Sequence, residues 1–163
     1  MNREGFLTHA GSIYQGTRSV LKAVPADKIQ HRPHENMMSI AQLIRHIASA
    51  CGGAFKEIVE GDMPAPEGPP ELPGLDFYKG YDTVQEALDH LDRDQAALKQ
   101  AVMGMSEEDF QSRMIQLPWA PVKIPAWALA LMMADHLSVH RMQLFQYLRI
   151  MGLPVNTMTL YGM

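Results

Sequence analysis

The chain has 163 residues, 47% hydrophobic and 20% charged, with a net charge of −4 and one cysteine. That length suits a single domain spanning residues 1–163 with a core of its own, and Cys51 alone excludes an internal disulfide or a cysteine-based zinc site. The acidic balance shows no basic stripe, so a nucleic-acid partner is not expected.

The longest apolar run, Ile124 to Ala134, contains Pro125 and stops short of the roughly 20 residues a membrane span needs. No membrane partner follows from it. No apolar h-region follows Met1, so no signal peptide is expected and the expected location is cytoplasmic. The 13 methionines read mainly as flexible core fillers.

Helical periodicity first appears from Asn2 to Val24, where Phe6, Ala10, Ile13, Tyr14, Val20 and Leu21 recur at threes and fours. Pro25 and the polar run to Asn36 end it. A second helix opens with Ser39 as N-cap, carries Ile40, Leu43, Ile44, Ile47, Cys51, Phe55 and Ile58, and closes at Glu60 before Gly61. Residues 62–76, with five prolines and two glycines, form a loop.

The third helix opens near Asp82 or Thr83, with Glu86 completing a capping box from Thr83. Val84, Leu88, Leu91, Leu98 and Val102 are its stripe. Ser106 to Asp109 caps a short helical turn. Met114 to Ile124 reads as an extended arm or irregular hairpin. The fourth helix begins at Pro125 and runs to Met151, before Gly152 and Pro154 stop it. No repeat and no low-complexity segment interrupts this order. The expected fold is all-α: a four-helix bundle with a short extended arm before the last helix.

On the fourth helix, His136 and His140 lie one turn apart, so both side chains leave the same face. At about 100° per residue they fall inside the arc of Leu129, Met133, Leu137, Leu144 and Leu148, facing the interior. Asp135, Arg141, Gln143 and Gln146 fall outside that arc or on its edge. Two buried imidazoles without partners would cost roughly 1–3 kcal/mol each. A divalent metal answers that cost, and so does a hydrogen-bonded polar core. His46 flanks the apolar arc of the second helix, where Ala50 and Gly53 leave room for a neighbouring helix or a substrate. It is either a third ligand or a boundary histidine bonded to a carbonyl. His31 and His34 flank Pro33 in a loop and read as surface or turn residues; His9 and His90 stay unassigned.

Arg32-Pro-His34, then Ser39-Ile-Ala-Gln-Leu-Ile-Arg-His46-Ile, resembles the second-helix entry of the DinB-like family. Asp135-His136-Leu-Ser-Val-His140-Arg141-Met142-Gln143, followed by Tyr147-Leu-Arg and Gly152, resembles that family's last-helix motif. The motif usually reads histidine, three residues, histidine, arginine, glycine, glutamine, so Met142 departs from it. The resemblance implies an up-down-down-up four-helix bundle, often a homodimer, with His46, His136 and His140 as metal ligands. That family is grouped with metal-dependent hydrolases and thiol-dependent transferases of similar fold, so the resemblance does not by itself fix an activity.

Three imidazoles leave at least one coordination position open for water or substrate, as catalytic sites do. An ion held this way can activate water or a low-molecular-weight thiol. Zinc and nickel are the leading candidates, with iron or manganese as alternatives. Glu57 shares the flank of His46 but lies three turns on, roughly 16 Å away, so it reads as a solvated carboxylate rather than a base. That gap favours activation of a small nucleophile, with the methionines, Trp119, Trp127 and the loops at 25–38 and 62–80 shaping a pocket for a small-molecule second substrate. The alternatives are a non-catalytic metal-binding or stress-response bundle, and a purely structural dimer whose histidines bond to one another.

Overall fold

The computed structural model describes residues 1–65 and 79–163. Within that range the expected bundle is present. Helix α1 spans Arg3–Lys22, and Asn2 caps it by accepting a hydrogen bond from the Gly5 N–H at 2.8 Å. The 23–39 connection contains one 3-10 turn, Ala26–Lys28.

The expected second helix is two helices: α2, Ile40–Ile47, and α3, Gly52–Glu60. Ser39 caps α2 as its sequence position suggests, within a capping box that Gln42 completes. Gly61 ends α3 at φ +81°, the left-handed conformation only glycine takes without strain. Between them, Cys51 caps α3 with no side-chain hydrogen bond. The cap comes instead from α4, which spans Val84–Met103 and opens with the Thr83–Glu86 box. The Asp94 carboxylate accepts from the Gly52 and Gly53 N–H groups at 2.9 and 2.7 Å and from the Tyr14 hydroxyl at 2.6 Å. A negative group at a helix start satisfies donors that have no partner within the helix. The apolar periodicity runs unbroken through the kink, so the sequence reads as one helix what a distant aspartate divides.

After α4, Ser106 caps α5, Glu107–Ser112. The arm is a two-stranded antiparallel hairpin, β1 Met114–Gln116 with β2 Lys123–Pro125, Ile115 opposite Ile124. Helix α6 is Ala126–Ile150, with Pro125 just outside it as N-cap rather than as first residue. Gly152 at φ +76° follows its end. A last helix, α7 Thr157–Tyr161, was not expected; Asn156 caps it in a box with Thr159.

Helix directions follow from pairs of contacts. Arg3 donates to the Met103 carbonyl at 3.4 Å and Arg18 pairs with Asp92, so α1 runs antiparallel to α4. Residues 53 and 54 of α3 share a cavity wall with His90 and Arg93, while Lys56 and Glu60 share another with Gln100 and Gly104, so α3 and α4 are parallel. His46 meets His136 and Ile58 shares a cavity wall with Met132, which sets α2–α3 antiparallel to α6. The order is up-down-down-up. Helix α1 packs on α4 and α6, as does the α2–α3 pair, so these two stand at opposite corners. The core between them includes Phe6, Leu21, Ile44, Leu91, Leu98, Leu137 and Leu144, all essentially buried.

Arg141 departs from its expected edge position. It is 8% exposed, because α7 covers it, and its guanidinium lies over the Tyr161 ring at 5.8 Å. Gly16 of α1 makes room: a Cβ there would sit 2.5 Å from Arg141 Nη1. No described helix is long and apolar enough to cross a membrane.

Candidate metal centre

The break after Ile47 lets α2 aim His46 at α6 while α3 continues along α4. His136 and His140 stand one turn apart on α6 and complete the group. One ring nitrogen from each of the three lies within 4.8 Å of the other two, a set that can hold a metal ion. His46 Nε2 is 3.0 Å from His136 Nε2. Ring centroids are separated by 5.1 Å for His46–His136, 4.4 Å for His46–His140 and 4.5 Å for His136–His140. A tetrahedral ion with bonds of about 2.1 Å needs nitrogens about 3.4 Å apart, a spacing that falls within the 4.8 Å limit the three ring nitrogens share. Among the described residues, no fourth histidine, cysteine or carboxylate joins the group.

Electrostatics favour neutral rings at His46 and His136. Burial, then the neighbouring His140 and His136, lowers the His46 pKa from 6.5 to about 4. Burial and His140 lower that of His136 as well. Neutral imidazole is the form that offers a lone pair to a cation. A stability consequence follows for the ion-free protein. Between pH 6.5 and about 4 the unfolded chain binds a proton at residue 46 that the folded chain refuses. Stability must therefore rise with pH across that window and fall as acid is added. Urea midpoints measured from pH 7 to 4 are expected to decline, and His46→Gln to flatten the decline.

One supporting residue escaped the sequence reading, which left Gln143 on the helix edge. Its Oε1 is 2.9 Å from His140 Nδ1, and its Nε2 donates to the Tyr147 hydroxyl at 3.3 Å. Gln143 accepts the Nδ1 proton, which leaves the His140 Nε2 lone pair free toward the group. Partners of this kind orient a ligand and fix its tautomer. The signal was available as a glutamine at i+3 from a candidate ligand. Gln143→Ala is expected to weaken metal binding by about 10–100-fold, with Gln143→Glu retaining most of it, as read by metal titration.

A cavity of about 450 Å³ opens beside His46 and His136, walled by Ala50, Ala54, Met63, Met132, Met133 and Trp119. Trp119 and the methionines thus shape it as expected, and Ala50 is one of the small residues that make the room. Gly53 lies elsewhere, under the Asp94 carboxylate. Trp127 packs against the core and does not line this cavity. Of the loop at 62–80, Met63 contributes, while residues 66–78 lie outside the described residues. The 25–38 loop contributes no wall either: its Arg32 donates to Gln42 Oε1 at 3.2 Å, and His34 Nδ1 accepts from the Asn36 N–H at 3.2 Å. His31 and His34 are turn residues, as expected. His90 bonds the Tyr81 hydroxyl away from the group. Glu57 is exposed and borders a separate cavity with His90 and Arg93. Cys51 is buried, and that burial pushes its thiol up to about 12, so it offers no thiolate.

A family model described as the DinB superfamily matches residues 12–144. The chain belongs to the DinB superfamily. Two solved structures are similar in fold. A DinB-like protein from Bacillus cereus superposes with a TM-score of 0.72 at 15% identity, over 96% of this chain and 98% of the other. A DinB-like protein from Bacillus subtilis does so with a TM-score of 0.62 at 19% identity, over 93% and 96%. No curated protein matches the sequence. At these identities the structural likeness speaks for the fold alone.

Proposed function

We propose that the protein is a divalent-metal-dependent enzyme that activates water or a low-molecular-weight thiol, of the hydrolase or thiol S-transferase type. The observation that carries this reading is three converging imidazoles, with no fourth protein ligand among the described residues, two of them at the wall of a largely apolar cavity. Structural sites are closed by four protein ligands, whereas catalytic ones keep a position for a reactant. His46, His136 and His140 would hold the ion, zinc or nickel first, and Gln143 would orient His140. The ion supplies Lewis acidity, which favours the deprotonated form of a nucleophile at neutral pH.

The chain's own residues indicate which nucleophile. Among the described residues, no carboxylate lines the cavity beside the histidines. Water attack profits from a positioned general base, whereas a thiol needs little more than loss of its proton. Met63, Met132, Met133 and Trp119 offer soft apolar walls that suit a thiol and an uncharged electrophile. The thiol-transfer branch is therefore the preferred one.

The experiment is metal analysis of protein purified without chelator, followed by assays with a panel of small thiols and electrophiles. Stoichiometric metal and thiol-dependent turnover that His136→Ala abolishes are expected. Turnover retained by that variant overturns the proposal. Metal bound at full occupancy with no turnover of thiols, esters or amides leaves a metal-binding bundle instead.

A further inference from the structure

The histidine cavity has a neighbour of different chemistry. A second cavity, of about 490 Å³, lies between α3 and α4 and shares Ser49, Ala54 and Met63 with the first as a common wall. Where the histidine cavity is largely apolar, the second gathers Glu57 from α3 and His90, Arg93 and Asp94 from α4.

These polar groups are not equally committed. Asp94 is taken up by the Tyr14 hydroxyl and the Gly52 and Gly53 N–H groups. Glu57 and Arg93 are exposed, and neither side chain forms an ion pair or a hydrogen bond among the described residues. His90 is oriented from behind by the Tyr81 hydroxyl at its Nδ1. Burial raises the Tyr81 pKa and lowers that of His90, so both are neutral and the phenol, the stronger acid, donates. The imidazole proton then sits on Nε2, and His90 brings a donor to the cavity wall.

The charges are also ordered along the cavity. The hydrogen bond from Gly53 sets that residue level with Asp94 on the parallel helix. Glu57 lies one turn beyond this level and Arg93 one residue before it, an offset of about 7 Å along the helices. A small molecule making a hydrogen bond of about 2.8 Å at each end can span such a gap. A simple anion would bring its charge beside Glu57, and a simple cation beside Arg93, each a repulsive juxtaposition. A ligand with both charges meets a partner at each end. We infer that the cavity between α3 and α4 is a headgroup site for a small zwitterion of the α-amino acid type. Its carboxylate lies on Arg93 and His90, its ammonium on Glu57, and an apolar side chain passes Ala54 and Met63 into the histidine cavity. The inference needs neither metal nor turnover, so its failure leaves the proposed function untouched, and the reverse holds too.

The test is calorimetric titration of the ion-free full chain with L-norleucine, followed in parallel by tryptophan fluorescence. Binding is expected, with a fluorescence change that Trp119→Phe removes, because Trp119 walls the histidine cavity. Hexanoate lacks the ammonium and pentylamine lacks the carboxylate, and each is expected to bind at least about tenfold more weakly. Arg93→Gln should weaken norleucine and hexanoate about tenfold and leave pentylamine unchanged. Glu57→Gln should weaken norleucine and pentylamine and leave hexanoate unchanged. Both positions are exposed, so the fold survives the changes, as circular dichroism will show. Absence of norleucine binding, hexanoate or pentylamine binding as tightly as norleucine, or variants that affect the three ligands alike overturns the inference. So does norleucine bound without a Trp119 signal.

Discussion

Metal affinity is expected to fall by at least about two orders of magnitude in His136→Ala, with the ion-free fold nearly intact. The size follows from coordination. Loss of a residue that merely orients a ligand costs about 10–100-fold, so loss of one of three ligands must cost more. The small effect on the fold follows from the location of the ring. His136 is half-buried at a cavity wall, not packed in the centre, so truncation creates little new void. Two measurements separate the roles. Calorimetric titration with zinc or nickel reads the affinity directly. Thermal unfolding with added metal reads the same loss by mass action: the wild-type midpoint rises with ion concentration and that of the variant does not. Were the three histidines only a hydrogen-bonded polar cluster, no ion response would exist in either protein. The variant would then show a stability loss of about 1–3 kcal/mol. His140→Ala is expected to match His136→Ala in affinity, because each supplies a single nitrogen.

The sequence announces this site better than it announces the structure that holds it. His136 and His140 are local: one turn of one helix puts them on a common face, whatever packs against it. The caps at Ser39 and Thr83 and the glycine at 61 are local as well, and each ends or starts a helix where its chemistry says. His46 could be placed only on a flank, because its convergence with α6 depends on where α2 stops. That stop is a tertiary event. Asp94 occupies the core-facing slot after Leu91 and before Leu98 on α4, where the apolar pattern leads one to expect a hydrophobe. It reaches two backbone N–H groups some 40 residues earlier in the chain. Helix α7 carries its own cap, but five residues are too short for periodicity to register. Without it, the burial of Arg141 could not be foreseen. Gln143 was visible as a residue but not as a partner, since ring orientation decides which nitrogen it meets.

The largest stability effects are expected where α3 starts. Asp94→Ala leaves the Tyr14 hydroxyl and the Gly52 and Gly53 N–H groups without their acceptor and should destabilise the fold by about 3–5 kcal/mol. Asp94→Asn keeps the volume but offers one acceptor oxygen where two are used, and turns an amide NH₂ toward donors. It should fall between wild type and alanine. The glycines give the sharper contrast. A Cβ on Gly52 would stand 1.8 Å from the Asp94 carbonyl oxygen, which is backbone and cannot turn aside. Gly52→Ala must therefore push α3 off α4, at a cost of at least about 3 kcal/mol. A Cβ on Gly53 would meet Asp94 Oδ1 at 3.4 Å, an ordinary contact, so Gly53→Ala should be neutral or stabilise by up to about 1 kcal/mol through helix propensity. Urea unfolding of the two adjacent variants decides the matter, because propensity alone predicts that both gain stability. The same displacement bears on the candidate metal centre. Ala50 and Ala54 bracket the start of α3 and line the histidine cavity, and His46 sits one short turn before the kink. Gly52→Ala should consequently weaken metal binding without touching a ligand, whereas Gly53→Ala should leave it unchanged. Equal stability in the two variants would mean that the helix junction yields freely, and that the Asp94 cap does not set the angle at which α2 presents His46.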